Sequence, residues 1–229
     1  MIISGFQKMT LLDFPGKVAC TIFTGGCNFL CPFCHNALLV TEDFKAEFSE
    51  EEILSFLEKR RGLLDGVCIT GGEPLLHKDI TDFIRKIKEM DYAVKLDTNG
   101  SFPDRLKALV NDGLIDYVAM DIKNCMEKYA LTAGSNENIL PQIEESIDFL
   151  LSGKVDYEFR TTIVKEFHDI NDISAAAERI KGAKRYFLQY FEDSGGLISG
   201  GLSAVDKETM ELMKKAAVKF VPETAVRGG

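Results

Sequence analysis

Three cysteines lie within eight residues of one another in a Gly-, Pro- and Asn-containing segment, residues 25–36. They are Cys27, Cys31 and Cys34, so three residues separate the first two and two residues separate the last two. Thiolates at this spacing can bind one compact metal centre, because each spacer is long enough to wrap the chain around it. Soft sulfur ligands favour zinc, copper or an iron–sulfur cluster.

Three interpretations of these cysteines are open from the residues alone. A structural zinc ion needs four ligands, and His35 is the available fourth one, although its side chain would have to fold back beside Cys34. The cysteines could also be small buried hydrophobic residues. In the third interpretation they bind three irons of a 4Fe-4S cluster, whose fourth iron has no protein ligand. Such an open iron indicates catalysis rather than electron carriage alone.

The pattern Cys-x3-Cys-x2-Cys, with the aromatic Phe33 before the last cysteine, resembles the signature of the radical S-adenosylmethionine (radical SAM) enzymes. The resemblance implies one 4Fe-4S cluster on Cys27, Cys31 and Cys34, with S-adenosylmethionine bound at the open iron and Phe33 beside its adenine. It also implies reductive cleavage of S-adenosylmethionine to methionine and a 5'-deoxyadenosyl radical, which takes a hydrogen atom from the substrate.

Composition limits the class of protein. The chain has 229 residues, of which 45% are hydrophobic, and this predicts a single domain over 1–229 with residues 1–16 as a lead-in. The net charge of -9, with 27 basic residues scattered along the chain, argues against a nucleic-acid partner. No apolar run is long enough for a membrane span and no signal peptide is recognisable, so we expect a cytoplasmic protein.

The other three cysteines, Cys20, Cys68 and Cys125, form no second close-spaced group. In a reducing compartment cysteines bind metals or catalyse reactions more often than they form disulfides. Cys20 and Cys68 lie in apolar segments that predict strands, where a small buried side chain is the simpler explanation. We therefore expect one cluster.

Short apolar segments alternate with amphipathic ones and predict an α/β fold. Strands are predicted over 17–24, 66–70, 92–98, 117–122, 157–164 and 185–191. Helices are predicted over 49–61, with Ser49 and Glu52 as a capping box, and over 79–90, 103–111, 140–151, 173–181 and 207–219.

Six strands that alternate with helices predict parallel pairing in a (β/α)6 arrangement. The pattern alone fits either an open doubly wound sheet or a partial barrel. The family resemblance implies the second, a partial (β/α)6 TIM-like barrel of the radical SAM type. In both folds ligands bind at the carboxyl ends of the strands, so the residues that follow each strand are the candidate site residues.

The second predicted strand ends in Thr-Gly-Gly-Glu-Pro, residues 70–74. Two glycines let a backbone approach a ligand closely, although turns after strands also favour glycine. Beside the cysteine pattern, this segment resembles the family's Gly-Gly-Glu motif. The resemblance implies that Gly71, Gly72 and Glu73 bind the amino group of the cofactor's methionine portion.

The third and fourth predicted strands end in carboxylates, Asp97 followed by Thr98, and Asp121 followed two residues later by Lys123. Oxygen ligands on neighbouring strand ends suit a cation or the polar part of a ligand. These segments resemble those of the activating enzymes for glycyl radical proteins. There they hold a monovalent cation against the cofactor's carboxylate and position the substrate, and the residue at Ala119 contributes only its backbone carbonyl.

Arg160 alternates with apolar residues on the fifth predicted strand, so its side chain is expected to point inward. A buried arginine needs an anion. Two anions fit: the carboxylate of the cofactor, or an acidic side chain in an ordinary ion pair.

Within the superfamily, the chain resembles most the activating proteins of anaerobic ribonucleoside-triphosphate reductase, in Leu11-Leu-Asp-Phe-Pro-Gly-Lys17 and in Cys-Pro-Phe-Cys-His-Asn, residues 31–36. This implies that the enzyme installs a glycyl radical on a partner protein and receives electrons from a donor such as flavodoxin or ferredoxin. The alternatives are an activator of another glycyl radical enzyme such as pyruvate formate-lyase, a radical SAM enzyme with a small-molecule substrate, and a plain electron-transfer or structural metal protein.

Overall fold

Eight strands form one sheet in the computed structural model, which describes residues 1–41, 45–135, 138–193 and 195–228. They are arranged in sequence order, with β1 antiparallel to β2 and the pairs from β2 to β8 all parallel. The strands are β1 (Ile3–Thr10), β2 (Ala19–Thr24), β3 (Gly66–Gly71), β4 (Ala93–Thr98), β5 (Tyr117–Asp121), β6 (Asp156–Ile163), β7 (Tyr186–Tyr190) and β8 (Thr224–Arg227).

Helices connect the parallel strands and pack along the sheet. They are α1 (Leu38–Thr41), α2 (Glu50–Glu58), α3 (Ile80–Lys88), α4 (Pro103–Asn111), α5 (Tyr129–Ala133), α6 (Leu140–Leu151), α7 (Ile170–Arg179) and α8 (Lys207–Val218), with single 3-10 turns at Pro74–Leu76 and Met126–Lys128. Among the described residues, no helix combines the length and the apolar composition that a membrane crossing requires.

All six predicted helices are confirmed, and their ends differ from the prediction by three residues or fewer. The predicted capping box begins α2, where the Glu52 amide donates to Ser49 Oγ at 3.1 Å and the Ser49 amide donates to the Glu52 carboxylate at 2.7 Å. Helix α7 begins three residues earlier than expected because the Asp169 carboxylate accepts from the amides of Asn171 and Asp172. The short helices α1 and α5 were not predicted.

The six predicted parallel strands, β2 to β7, and the partial barrel are also confirmed. Two further strands extend this arrangement, β1 within the lead-in and β8 after the last helix. Strand β1 was not predicted from the alternation of apolar and polar residues, because its register against β2 shifts twice, between Ile3 and Gly5 and between Gln7 and Thr10. Strand β8 has only four residues. Since strand order is linear across the described chain, the barrel is open between β1 and β8.

The segment after β1 closes the N-terminal end of the parallel strands. Phe14 is 2% exposed and packs against Ala19, Ala93 and Tyr117, which are the first residues of β2, β4 and β5. A Cβ atom at Gly66, the first residue of β3, would lie only 2.9 Å from the Phe14 ring. The cysteine segment follows the opposite end of β2, so the Phe14 ring and the candidate site lie at opposite ends of the sheet.

Replacing Phe14 with Ala should lower the free energy of unfolding by about 3–5 kcal/mol, because the loss of a buried aromatic ring leaves a cavity among the strand starts. Chemical denaturation of the metal-free protein measures this difference. The matched control is Leu12→Ala: Leu12 is 90% exposed in the same segment, and its replacement should change stability by less than about 0.5 kcal/mol. Equal effects of the two substitutions would contradict the role of Phe14.

Candidate active site

The carboxyl ends of the parallel strands surround a cavity with a volume of about 240 Å³. The lining residues come from the segment that follows β2, from the ends of β3, β4 and β5 and the residues directly after them, and from β6 and β7. Eleven of the twelve predicted site residues are among them: Cys27, Cys31, Phe33, Cys34, Gly71, Gly72, Asp97, Thr98, Asp121, Lys123 and Arg160. Glu73 is the exception.

Backbone hydrogen bonds hold the cysteine segment over the strand ends. The Gly26 amide donates to Leu39 O at 2.7 Å, and the Leu30 amide donates to Ala133 O at 3.1 Å. On the other side, the Ser199 amide from the segment after β7 donates to Pro32 O at 2.9 Å. The three cysteines form no disulfide, and all three line the same cavity.

The thiols of the cysteine segment fit a soft metal centre. Burial raises the pKa of all three, that of Cys27 to about 12, so the metal-free protein holds them protonated. The positive charge of Lys123 opposes this effect at each of them. Phe29 and Asn99 place an amide nitrogen 3.4 Å and 3.8 Å from Cys27 Sγ, contacts of the kind that tune iron–sulfur clusters.

His35, the candidate fourth ligand of a zinc ion, packs its ring against Phe191 at a centroid distance of 5.9 Å. Burial lowers its pKa, so the ring is neutral near pH 7. Within the described ranges, no three His, Cys, Asp or Glu side chains surround a point in the way that a single metal ion requires.

Gly71 and Gly72 lie where the end of β3 and the residue after it touch the end of β2 and the cysteine segment, which leaves no room for side chains. A Cβ atom at Gly72 would lie 2.0 Å from Gly26 O, and one at Gly71 would lie 2.3 Å from the Thr24 amide nitrogen. Gly71 also has φ +114, a conformation that other residues rarely adopt. The absence of side chains at Gly71 and Gly72 therefore allows this segment to pack against the end of β2 and the cysteine segment. The two glycines also line the cavity.

Glu73 is the one predicted site residue that lies outside the lining of the cavity. It is fully buried, and its carboxylate accepts hydrogen bonds from the Leu75 amide at 3.0 Å, the Thr98 hydroxyl at 2.8 Å and the Asn99 amide at 2.7 Å. These three donors occupy the carboxylate within the protein, so it does not line the cavity. Glu73 connects the end of β3 to the end of β4 and thereby positions the site.

Positively and negatively charged side chains alternate along one side of the cavity. Lys95, Asp97, Asp121, Lys123 and Arg160 form this charged floor. Asp97 on β4 pairs with Lys95 and with Arg160 on β6, whose Nη1 lies 3.1 Å from Asp97 Oδ2. Arg160 also pairs with Asp121 on β5 at 3.0 Å, and Asp121 pairs with Lys123 at 3.0 Å. Of the two anions expected for Arg160, the structure shows the acidic side chains.

Both aspartates of this floor are ionised. Burial alone would raise the pKa of Asp97, but Arg160 and Lys95 lower it below its ordinary value. Burial acts in the same way on Asp121, and Lys123 and Arg160 lower its pKa to about 2.

Several residues of the site were not predicted from the sequence. Lys95 is 2% exposed, and its ammonium group donates a hydrogen bond to the Asp97 carboxylate. Asn36 donates from its amide to Gly71 O at 3.0 Å, and Asn99 donates to Asn28 Oδ1 at 3.0 Å. Only their positions in the sequence could have indicated the two asparagines: Asn99 directly follows the end of β4, and Asn36 lies two residues after Cys34.

Comparison with known proteins identifies the family. The sequence profile described as the Radical SAM superfamily matches residues 21–173, about two thirds of the chain and the part that contains Cys27, Cys31, Cys34 and strands β3 to β6. The chain belongs to the radical SAM superfamily. It is therefore an enzyme of this class, and the family implies a 4Fe-4S cluster and S-adenosylmethionine as its cofactors.

One relative matches almost the whole chain. It is a protein of Methanocaldococcus jannaschii with the provisional name glycyl-radical enzyme activating enzyme, 36% identical over 240 aligned positions that cover 99% of this chain and 95% of the relative.

Solved structures share the fold at low identity. A domain of pyruvate-formate lyase-activating enzyme from Bacteroides vulgatus superimposes with a TM-score of 0.57 at 17% identity, covering 71% of this chain and 99% of that one. SuiB of Streptococcus suis bound to its precursor peptide SuiA gives 0.72 at 13% identity, covering 91% of this chain and 48% of SuiB. At these identities the likeness concerns the fold alone.

The iron content of six cysteine variants tests the assignment of the cluster. Protein purified without oxygen should contain about four irons per chain. Replacing Cys27, Cys31 or Cys34 with Ala should abolish iron binding, whereas the same replacement of Cys20, Cys68 or Cys125 should leave it unchanged. Stoichiometric zinc in place of iron, measured by elemental analysis, would overturn the assignment.

The buried Glu73 carboxyl predicts a pH dependence of stability. Burial raises its pKa from 4.5 to about 7, so between these values the folded protein holds a proton that the unfolded chain has lost. Stability therefore falls as pH rises through this window, by up to about 3 kcal/mol. The free energy of unfolding of the metal-free protein should show this fall relative to Glu73→Gln, which does not titrate. A constant difference between the two proteins from pH 5 to pH 8 would contradict it.

Proposed function

We propose that this radical SAM enzyme installs a glycyl radical on a partner protein, and that the partner is an anaerobic ribonucleotide reductase. The main support is the match to a relative with the provisional name glycyl-radical enzyme activating enzyme, which extends over 99% of the chain. The choice of the reductase rests on the sequence likeness in residues 11–17 and 31–36.

The cofactors would supply the chemistry when bound: one electron from the reduced cluster would cleave a carbon–sulfur bond of S-adenosylmethionine to methionine and a species that takes a hydrogen atom from glycine. In this proposal Cys27, Cys31 and Cys34 hold the cluster. Phe33, which is 4% exposed and packs beside Phe167 at 5.8 Å, bounds the place of the adenine.

The polar end of S-adenosylmethionine is assigned to the charged floor and the glycine segment. Gly71 and Gly72 line the cavity, and we assign the ammonium group of the cofactor to their backbone. The floor contains three cations, Lys95, Arg160 and Lys123, and two anions, Asp97 and Asp121. The surplus positive charge suits a carboxylate.

A glycine backbone suits this cavity as the substrate. A Cα hydrogen can approach a buried radical only when the backbone enters deeply, and glycine alone does this without a side-chain clash. The acidic net charge of -9 favours a protein over a nucleic acid as partner. We assign the electron supply to a flavodoxin or ferredoxin and the place of action to the cytoplasm, where thiols stay reduced.

Electron paramagnetic resonance tests this function directly. The reduced enzyme, S-adenosylmethionine and an anaerobic ribonucleotide reductase are mixed without oxygen, in parallel with a pyruvate formate-lyase as a second partner. We expect a glycine-centred doublet with the reductase and none when the Cys31→Ala enzyme is used. A doublet that develops only with the pyruvate formate-lyase would show that the partner is a lyase of this kind and not the reductase.

The competing function is a radical reaction on a small molecule. It would be favoured by 5'-deoxyadenosine that accumulates with a small substrate while no glycyl doublet develops with either partner protein. That outcome would overturn the proposed function without affecting the family assignment.

A further inference from the structure

A side-chain cation lies between the two aspartates at the ends of β4 and β5. In the family resemblance, Asp97 and Asp121 are expected to share a monovalent cation. Here the guanidinium group of Arg160 lies between them, with Nη1 3.1 Å from Asp97 Oδ2 and both Nε and Nη2 3.0 Å from Asp121 Oδ1.

The sheet register explains why Arg160 can reach both aspartates. Arg160 is in register with Asp121 on the neighbouring strand, and Asp97 is in register with Ala119 on the far side of that strand. Ala119 carries only a methyl group, so the strand between Arg160 and Asp97 presents little bulk at this level. A long, planar side chain can therefore connect three adjacent strands at this level of the sheet.

Every carboxylate oxygen of the two aspartates already has a cationic partner. Asp97 Oδ1 accepts from Lys95, and Asp121 Oδ2 accepts from Lys123 at 3.0 Å. Arg160 takes the two remaining oxygens. Across the described chain, no buried side-chain nitrogen or oxygen lacks a hydrogen-bond partner, so the site has no unpartnered buried side-chain oxygen that would call for a metal ion.

The charge balance also opposes a metal ion. Three positive side chains face two negative ones, and the side chains of Lys95, Asp97 and Arg160 are only 2%, 13% and 15% exposed. At this burial, repulsion between like charges is weakly screened by solvent. A sodium or potassium ion that took the place of Arg160 between the aspartates would leave the guanidinium group buried without a partner, which is costly.

We propose that Arg160 is the built-in cation of this site, so that the enzyme binds S-adenosylmethionine without a monovalent metal ion. Arg160 acts as a positioning residue, because it fixes Asp97 and Asp121 in the arrangement that a shared metal ion would otherwise impose. The inference rests on the S-adenosylmethionine site of the proposed function and not on the identity of the partner protein.

Equilibrium binding of S-adenosylmethionine to the cluster-loaded enzyme tests the inference. Binding is followed through the change in the electron paramagnetic resonance spectrum of the reduced cluster, in buffers of equal ionic strength that contain tetramethylammonium, sodium or potassium as the monovalent cation. The wild-type affinity should agree within about twofold in the three buffers. A wild-type affinity that rises about fivefold or more with sodium or potassium would overturn the inference.

The substitution Arg160→Met should create the dependence that the wild type lacks. In tetramethylammonium buffer this variant should bind S-adenosylmethionine at least about tenfold more weakly, and sodium or potassium should restore much of the affinity by occupying the space between the aspartates. Unchanged affinity in tetramethylammonium, or weak binding that neither metal ion improves, would contradict the role of Arg160 as the cation.

Two controls complete the design. Arg179→Met removes another arginine that pairs with two acidic residues, Glu144 and Asp148, and it should change neither the affinity nor the cation response. If Arg160→Met fails to load the cluster, Arg160→Lys keeps the charge without the planar bridge and should respond to the metal ions in the same direction. Wild-type protein that binds no S-adenosylmethionine in any buffer would overturn the proposed function itself, whereas cation dependence would overturn only this inference.

Discussion

The close contact between the backbones at Gly26 and Gly72 is the constraint on which the site depends. There is no room for a side chain at Gly72, because its Cβ atom would overlap Gly26 O. The same carbonyl accepts from the Glu73 amide at 2.8 Å, and the Glu73 carboxylate then holds Thr98 and Asn99. The side-chain amide of Asn99 in turn donates to Asn28 and Cys27 of the cysteine segment.

These contacts form a closed ring of hydrogen bonds across the ends of β2, β3 and β4. A ring of this kind couples the position of the cysteines to the position of the aspartates, since neither segment can move without breaking bonds to a buried group. Burying the Glu73 carboxylate is unfavourable by itself, and its three hydrogen bonds offset part of that cost. The arrangement therefore places a soft ligand set and a charged floor at fixed separation before any cofactor binds, which lowers the ordering cost of binding.

The sequence predicted what depends on local pattern and missed what depends on distant partners. Strands β2 to β7 and the six longer helices follow from hydrophobic periodicity, capping residues and turns. Strand β1 breaks its own period through two register shifts, and β8 is too short to give one. The cysteines and the strand-end aspartates were recognisable because their spacing and position carry the signal.

The partners of these residues could not be predicted in the same way. Arg160 pairs with Asp97 across 63 positions of sequence, and only the order and register of three strands bring them together. Glu73 followed two glycines and therefore resembled a ligand-binding carboxylate. Its burial becomes evident only when the end of β4 is placed beside it.

The open sheet has one further consequence, for self-association. A barrel that does not close leaves two edges, and an exposed edge is a template on which a second copy of the chain could add its strands. Strand β1 has two irregularities that interrupt a regular ladder, and β8 offers only four residues. Both edges therefore provide poor templates, so the fold can keep its interior open on one side with little tendency to polymerise through its sheet.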